Sequence, residues 1–283
     1  MFPNIWLSGF ADEIDPSFDK QMEVIPKLGM KYIEIRGVDG KNIADLTPEE
    51  VAEVKAKLDA AGVQISSIGS PIGKIDITDD FEPHLEKFRA VAATAKALGT
   101  RYIRMFSFFM PKDADPADYR DEVLARLRRL IEEAKKADVV LLHENEKEIY
   151  GDTDDRCLDL MKELYCDNFK AVFDFANFVQ CGVDTLRAYE LMKPYVVYIH
   201  IKDAEAGTGT IVPPGKGAGH LAEILAKFKA DGYTGFISLE PHLTNFTGLS
   251  GLEKEVEERH TTLTGEEAFT LAHDCLVEIL DKI

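Results

Sequence analysis

One phrase recurs along this chain: an amphipathic helical pattern, a glycine, one or two polar residues, and then a short apolar strand. It reads KLGMKYIEIR, AAGVQISSIG, ALGTRYIRMF and ADGYTGFISLE. Gly29, Gly62, Gly99 and Gly232 stand where a helix C-terminus needs a left-handed residue before the chain turns into a strand. Adding the segments that lack this glycine gives eight expected strands, at 5–10, 31–36, 63–69, 102–107, 138–144, 170–175, 196–202 and 236–240. Strands alternating with helices imply parallel pairing, either in an open doubly wound sheet or in a closed barrel. An open sheet normally announces a nucleotide with G-x-G-x-x-G or G-x-x-x-x-G-K-[ST] after an early strand, and neither is present. Eight repeats filling 283 residues, with no Pro-, Gly- or Ser-rich linker, point to one α/β domain over 1–283, a (β/α)8 TIM barrel.

The helices follow from period 3.6, at 17–28, 47–61, 80–98, 116–136, 153–165, 184–193, 219–230 and 265–281. Val51, Val54, Leu58 and Ala61 share one face, and Val123, Leu127, Leu130 and Ala134 share another, opposite Arg126, Arg129 and Glu133. Thr47-Pro48-Glu49-Glu50 has a cap, a first-turn proline and first-turn acids in the order that starts a helix. Pro26 should kink or shorten the first helix. The irregular stretches 108–115, 145–152, 203–218 and 241–264 all follow strands, which puts them on the C-terminal face of a barrel, where active sites are built.

With 45% hydrophobic residues there is material for a continuous core, and a net charge of −18 opposes binding to a polyphosphate, so nucleic acid is not the expected partner. The four cysteines show no C-x-x-C spacing, and neither a secretory signal nor an 18-residue apolar run is present. Reduced cysteines, no membrane partner and a cytoplasmic location are the expectations.

The last four strands each end in a group able to bind a metal: LLHEN gives Glu144, AVFDF gives Asp174, VVYIHI gives His200 and FISLEPH gives Glu240. A charged residue closing an apolar strand is costly in a dry core without a partner. Side chains two apart on a strand point the same way, so if these four face the barrel axis, Leu142, Val172, Tyr198 and Ser238 lie beneath them. His143, Phe173, Ile199, Ile201 and Leu239 then face the helices. Three converging carboxylates repel one another unless a cation or protons intervene. One imidazole with three carboxylates suits Mn²⁺, Mg²⁺ or Co²⁺, with Zn²⁺ allowed.

On LLHEN, VFDFANF, IHIKDA, VPPGKGAG and GYTGFISLEPH, over nearly its whole length, the chain resembles the xylose isomerase-like TIM barrel family. That family contains sugar isomerases, ketose epimerases, inosose dehydratase and, more distantly, endonuclease IV. The resemblance implies that Glu144, Asp174, His200 and Glu240 hold one catalytic divalent metal, and that Glu144 and Glu240 remove and return a proton beside a carbonyl through a metal-stabilised enediolate. It implies a sugar or sugar phosphate isomerase or epimerase acting on a small molecule, and a homodimer or homotetramer. An inosose dehydratase-like lyase on a polyol ketone is the alternative. An endonuclease IV-like repair enzyme fits poorly, since seven histidines and a charge of −18 do not suit a three-zinc cluster in a basic groove. A non-catalytic sugar-binding barrel has no evident use for the tetrad. Ketose 3-epimerases usually have His and Arg where this chain has Asn177 and Ala206, which leaves the reaction open.

Further substrate contacts are expected at Lys202 and Asp203, which resemble the strand-seven motif of inosose dehydratase-like members, or these two pair at the rim. Glu34 and Arg36 share a face and form either a buried pair or a substrate contact; Arg104 either satisfies Glu34 or binds an anion. Ser70 and Lys74 in SPIGKID, Asn177 and His242 are also candidates, whereas His143 should point away. Trp6, Phe106, Phe108 and Phe109 offer an apolar wall or are simply core. The loop GTGTIVPPGKGAGH lacks P-loop spacing and reads as a flap or a plain loop, with Lys216 available to an anion.

Overall fold

The computed structural model describes residues 4–246 and 261–283, so 247–260 of the long loop expected at 241–264 lie outside the described residues. Eight parallel strands form one sheet: β1 Ile5–Gly9, β2 Tyr32–Ile35, β3 Gln64–Gly69, β4 Tyr102–Met105, β5 Val140–Glu144, β6 Phe169–Asp174, β7 Val196–Ile201 and β8 Gly235–Leu239. Their order is β1-β8-β7-β6-β5-β4-β3-β2, and β1 and β2 stand side by side at its two ends, so the barrel is nearly closed. Each strand lies within a residue or two of its expected place.

The helices are α1 Phe18–Lys27, α2 Pro48–Ala61, α3 Phe81–Leu98, α4 Arg120–Ala137, α5 Asp154–Leu164, α6 Phe175–Gln180, α7 Thr185–Met192, α8 Leu221–Ala230 and α9 Gly265–Lys282. The one-turn α6 went unread, because six residues are too few to show a period. The four junction glycines have φ of 73°, 68°, 83° and 77°, and Asp138 makes the same left-handed exit after α4. Thr47 caps α2 in a reciprocal box with Glu50. Pro26 sits one residue before the end of α1, where its missing N–H shortens rather than kinks the helix.

Val51, Val54, Leu58, Val123, Leu127 and Leu130 are buried, and each large aliphatic removed from water contributes about 1.5–3 kcal/mol. Arg126 departs from its expected solvated face. It is buried, with its guanidinium 5.3 Å from the Phe81 ring centroid and 5.7 Å from that of Phe108, because its long apolar stem covers the α3–α4 seam.

Inside the barrel, Val140, Leu142, Val172 and Tyr198 form a cluster with Tyr102 and Phe236, while Phe173, Ile199, Ile201 and Leu239 join the larger core beneath the helices. This is the alternation expected from the strands. Above the aromatic floor lies a polar layer in which Tyr198 bonds Ser66 (2.8 Å), Ser66 bonds Ser8 (2.6 Å), and the Ser238 hydroxyl donates to Glu34 Oε2 (2.9 Å). Trp6 packs on Tyr32 and Phe236 at the strand starts, opposite the mouth, and so forms no substrate wall.

The loops after β3, β4 and β5 are stitched together by backbone bonds, among them Phe106 N–H to Ile72 O (2.8 Å), Phe108 N–H to Gly73 O (2.9 Å) and Met110 N–H to Glu148 O (2.9 Å). His84 on α3 accepts the Gly73 N–H through Nε2 at 2.7 Å, so its ring is neutral here. Burial, with Lys87 and Arg126 nearby, holds its pKa at about 4. A histidine depressed in the fold contributes stability that is complete above its unfolded pKa of about 6.5 and is lost as pH falls towards 4, on the order of 3 kcal/mol in all. Urea titrations at pH 7 and pH 4.5 should show this loss in the wild type and a smaller one in His84→Gln; an equal loss in both would remove His84 as its source.

Candidate metal centre

Glu144 ends β5, Asp174 ends β6, His200 lies on β7 and Glu240 directly follows β8. One ligand atom from each falls within 4.8 Å of all the others, and all four residues are buried. Asp174 divides its two oxygens: Oδ1 accepts the Asn177 N–H at 2.8 Å and so caps α6, while Oδ2 is buried without a hydrogen bond and stands 3.3 Å from Lys202 Nζ. The strand-end Asp is thus both a helix cap and a free donor oxygen.

The charges around the four are dense. Asp12, Glu13, Glu34, Glu144, Glu146, Asp174 and Glu240 face Arg36, Arg104, Lys74 and Lys202, with His200 and His242 among them, and every one of these side chains is buried or nearly so. Carboxylates exceed fixed cations, and at about 4 Å each unscreened like pair costs on the order of 4 kcal/mol. A divalent cation among the four donors meets this imbalance, so the residues present fit such an ion.

His200 is held between carboxylates, with Nδ1 2.8 Å from Glu144 Oε1 and Nε2 2.9 Å from Glu34 Oε2. Burial opposes its charge, but Glu144 and Glu34 outweigh burial and push its pKa well up. Burial also works against ionised Glu144, yet His200 and Arg104 hold it down at about 2. Glu240 is likewise held low against burial by Lys202 and His242. Asp174 is the exception: burial dominates and raises it to about 7 despite Lys202.

The remaining candidates separate. Lys202 Nζ donates to Glu240 Oε2 at 3.0 Å and does not pair with Asp203 at the rim. Glu34 and Arg36 do not pair either: Arg36 grips Asp12 through Nε and Nη2 and reaches Glu13 and Glu240 at 3.1 Å, while Glu34 is taken up by His200 and Ser238. Arg104 donates from Nη1 to Glu144 Oε2 at 3.0 Å rather than to Glu34. Asn177 Nδ2 reaches Glu144 Oε1 at 3.4 Å, and His242 Nε2 lies 3.3 Å from Glu240 Oε1. Lys74 pairs with Glu146 at 3.2 Å over the Phe106 ring, and the Ser70 hydroxyl is turned to the Arg104 carbonyl at 2.6 Å. Phe106, Phe108 and Phe109 are buried, and His143 faces Phe169 outside the barrel.

Asp203 and Lys216 lie elsewhere than expected. The Asp203 carboxylate accepts the amides of Ala204, Gly215, Gly217 and Gly219 at 2.9–3.0 Å, which folds the glycine-rich loop onto the barrel. Exposed Lys216 is carried to α9, close enough to act on Cys275 and Glu278. Losing several charge-assisted bonds at about 1.5–3 kcal/mol each, Asp203→Ala should free this loop. Faster amide hydrogen exchange at 211–219 with little change in β6 and β7 is the expected signature; unchanged exchange there would show that the carboxylate does not hold the loop.

Asp12, Glu13, Asn145 and Glu146 went unread. Asp12 and Glu13 follow β1 at the mouth of the barrel as Glu240 follows β8, but the mixed IWLSGF strand blurs that positional signal. Asn145 clasps Asp174, donating to its carbonyl at 2.9 Å and accepting its N–H at 3.0 Å.

The sequence model of the family described as xylose isomerase-like TIM barrel matches residues 22–262. A 3-dehydroshikimate dehydratase of Bacillus anthracis is 24% identical over 191 residues, which is 66% of this chain and 66% of that protein. The match therefore spans just under two thirds of that relative. Among solved structures, the IolI protein with a bound zinc atom superposes with TM-score 0.78 at 18% identity, covering 98% of both chains. The 3-keto-D-glucoside 4-epimerase YcjR of E. coli superposes with TM-score 0.69 at 16% identity, covering 98% of this chain and 99% of that one. At such identities these two likenesses show the barrel alone. No helix among the described residues is long and apolar enough to cross a membrane.

Proposed function

The chain belongs to the xylose isomerase-like TIM barrel family, and we propose that its single barrel over 1–283 is a divalent-metal-dependent isomerase or epimerase acting on a small polyhydroxylated ketone. Glu144, Asp174, His200 and Glu240 are its metal ligands. The observation that carries this reading is one imidazole nitrogen and three carboxylate oxygens, buried and within 4.8 Å of one another. The set favours Mn²⁺, Mg²⁺ or Co²⁺ and allows Zn²⁺, the ion bound by the related IolI protein. When bound, such a cation would polarise a carbonyl and stabilise the negative charge that develops as the neighbouring C–H loses its proton.

The chain's own residues supply the proton transfer. Glu144 and Glu240 stand at the two ends of the tetrad, three strands apart, and both are held ionised. One takes the proton; the same carboxyl then returns it to the adjacent carbon, or the other, protonated from solvent, delivers a proton to the opposite face. Arg104 and Asn177 fix Glu144, while Arg36 and Lys202 fix Glu240.

Loss of a β-hydroxyl after the same proton abstraction is the second reading. It is favoured by the charged Lys202 Nζ, 3.0 Å from Glu240 Oε2 and able to donate to a departing oxygen, and by the likeness to a dehydratase. The test is incubation of Mn²⁺-loaded protein with a ketose and inosose panel in deuterated water. Solvent deuterium in an isomer or epimer supports the first reading and release of water the second. No deuterium uptake and no product with Mn²⁺, Mg²⁺ or Co²⁺ would sink both.

A further inference from the structure

Resting on that reading, we propose that the substrate is an acid whose carboxylate is received by the Nε and Nη2 edge of Arg104. Arg104 is 2% exposed and spends only Nη1 on its neighbours, 3.0 Å from Glu144 Oε2 and 3.8 Å from Glu240 Oε1. Nε and Nη2 are buried and have no hydrogen-bond partner. Folded proteins rarely bury two donors of one guanidinium unmet, and the two lie on one edge with the spacing of carboxylate oxygens. Arg36, in the same barrel mouth, shows what this edge does when it is occupied: Nε and Nη2 hold Asp12 Oδ2 and Oδ1 at 2.8 and 3.1 Å.

The surroundings fit a single negative charge. The Arg104 guanidinium carbon lies 4.7 Å from the Phe106 ring centroid and 5.1 Å from that of Phe10, and these rings offer the edge no acceptor. Lys74 lies against the same Phe106 ring at 4.4 Å, but its charge is met by Glu146 at 3.2 Å. The subsite thus presents two uncommitted N–H donors on a cation whose charge is already shared with Glu144, which suits a single carboxylate and disfavours a phosphate dianion. Because Nη1 of the same guanidinium touches Glu144, an acid held there has its ring or chain directed at the metal ligands.

Shikimate and methyl shikimate share ring and hydroxyls and differ in charge, so calorimetric titration of Mn²⁺-loaded protein with each isolates the carboxylate. Shikimate should bind at least about tenfold tighter than its ester, and glycerol 3-phosphate should show no such gain over glycerol. In Arg104→Lys, which keeps a cation beside Glu144 and lacks the two-pronged edge, the ratio of acid to ester affinity should fall to about one, whatever happens to the ester's own affinity. Equal affinity of acid and ester for the wild type, no shikimate binding below ~10 mM, a preference for the phosphate, or a preference that survives in Arg104→Lys overturns the proposal. Mn²⁺ titration is run on both proteins. If Mn²⁺ binds and deuterium exchange proceeds with neutral ketoses while acid and ester bind alike, only the carboxylate inference fails; if Mn²⁺ does not bind, the metal reading fails, and the acid–ester comparison still reports on Arg104.

Discussion

Glu240→Gln should remain folded and lose metal-dependent proton exchange by about 10²–10⁴-fold, the contribution typical of a positioned general base. The amide keeps the volume of the carboxylate, and its one oxygen can still accept from either Arg36 or Lys202, both of which retain acidic partners in Asp12, Glu13 and Asp174. Removing the group outright would leave two buried cations short of a partner, at about 3–5 kcal/mol, so Glu240→Ala would confuse unfolding with loss of function. What Gln cannot do is ligate a hard cation as an anion or take a proton. Elemental analysis and Mn²⁺ calorimetry of wild type and variant should show divalent ion in the first and a much weaker site in the second, with unchanged circular dichroism. If the wild type does not bind a divalent ion at micromolar concentration, or if Glu240→Gln exchanges deuterium at the wild-type rate, the metal centre as drawn is wrong.

Gly73→Ala should be the most damaging single methyl in the described residues of the β3 loop. Gly73 has φ of +90°, and a Cβ there would overlap the Phe106 carbonyl, a backbone atom held by the neighbouring Phe106 N–H to Ile72 O and Phe108 N–H to Gly73 O bonds. Neither loop can yield without breaking the seam that sets Lys74 against Phe106. We expect a loss of roughly 3 kcal/mol or more and a fall in Tm on the order of 10 °C. Gly29→Ala is the control. Its φ of +73° imposes the left-handed penalty of about 1 kcal/mol, but nothing lies within 4 Å of the added atom. Comparable melting temperatures for the two variants would show that the backbone approach at Gly73 is not what constrains this loop.

These two residues illustrate how unevenly the chain could be read. Glu240 stood out because an acid closing an apolar strand is costly, and three other strands ended the same way. Gly73 gave no signal, because whether a glycine in SPIGKID is needed depends on Phe106, 33 positions on. The same contrast holds for the cations. Arg104, Lys202 and Lys74 are legible as polar groups near strand ends, but their partners are not, and the acids that hold Arg36, Asp12 and Glu13, come from the segment after β1 rather than from its own strand. Asp203 is legible as a rim acid, but that it is the hub of its own loop is not.

The sequence by itself determined the barrel and its four strand-end donors, because both rest on local periodicities: 3.6 residues per helical turn, two per strand, and a left-handed exit between them. Only the tertiary structure decided which charge meets which, since ion pairs at a barrel mouth join residues from strands far apart in sequence, and their geometry depends on stagger and bulges that no local pattern records. That is why the four proposed ligands can be picked out from the strands, while the unpartnered edge of Arg104 is visible only with every neighbour in place.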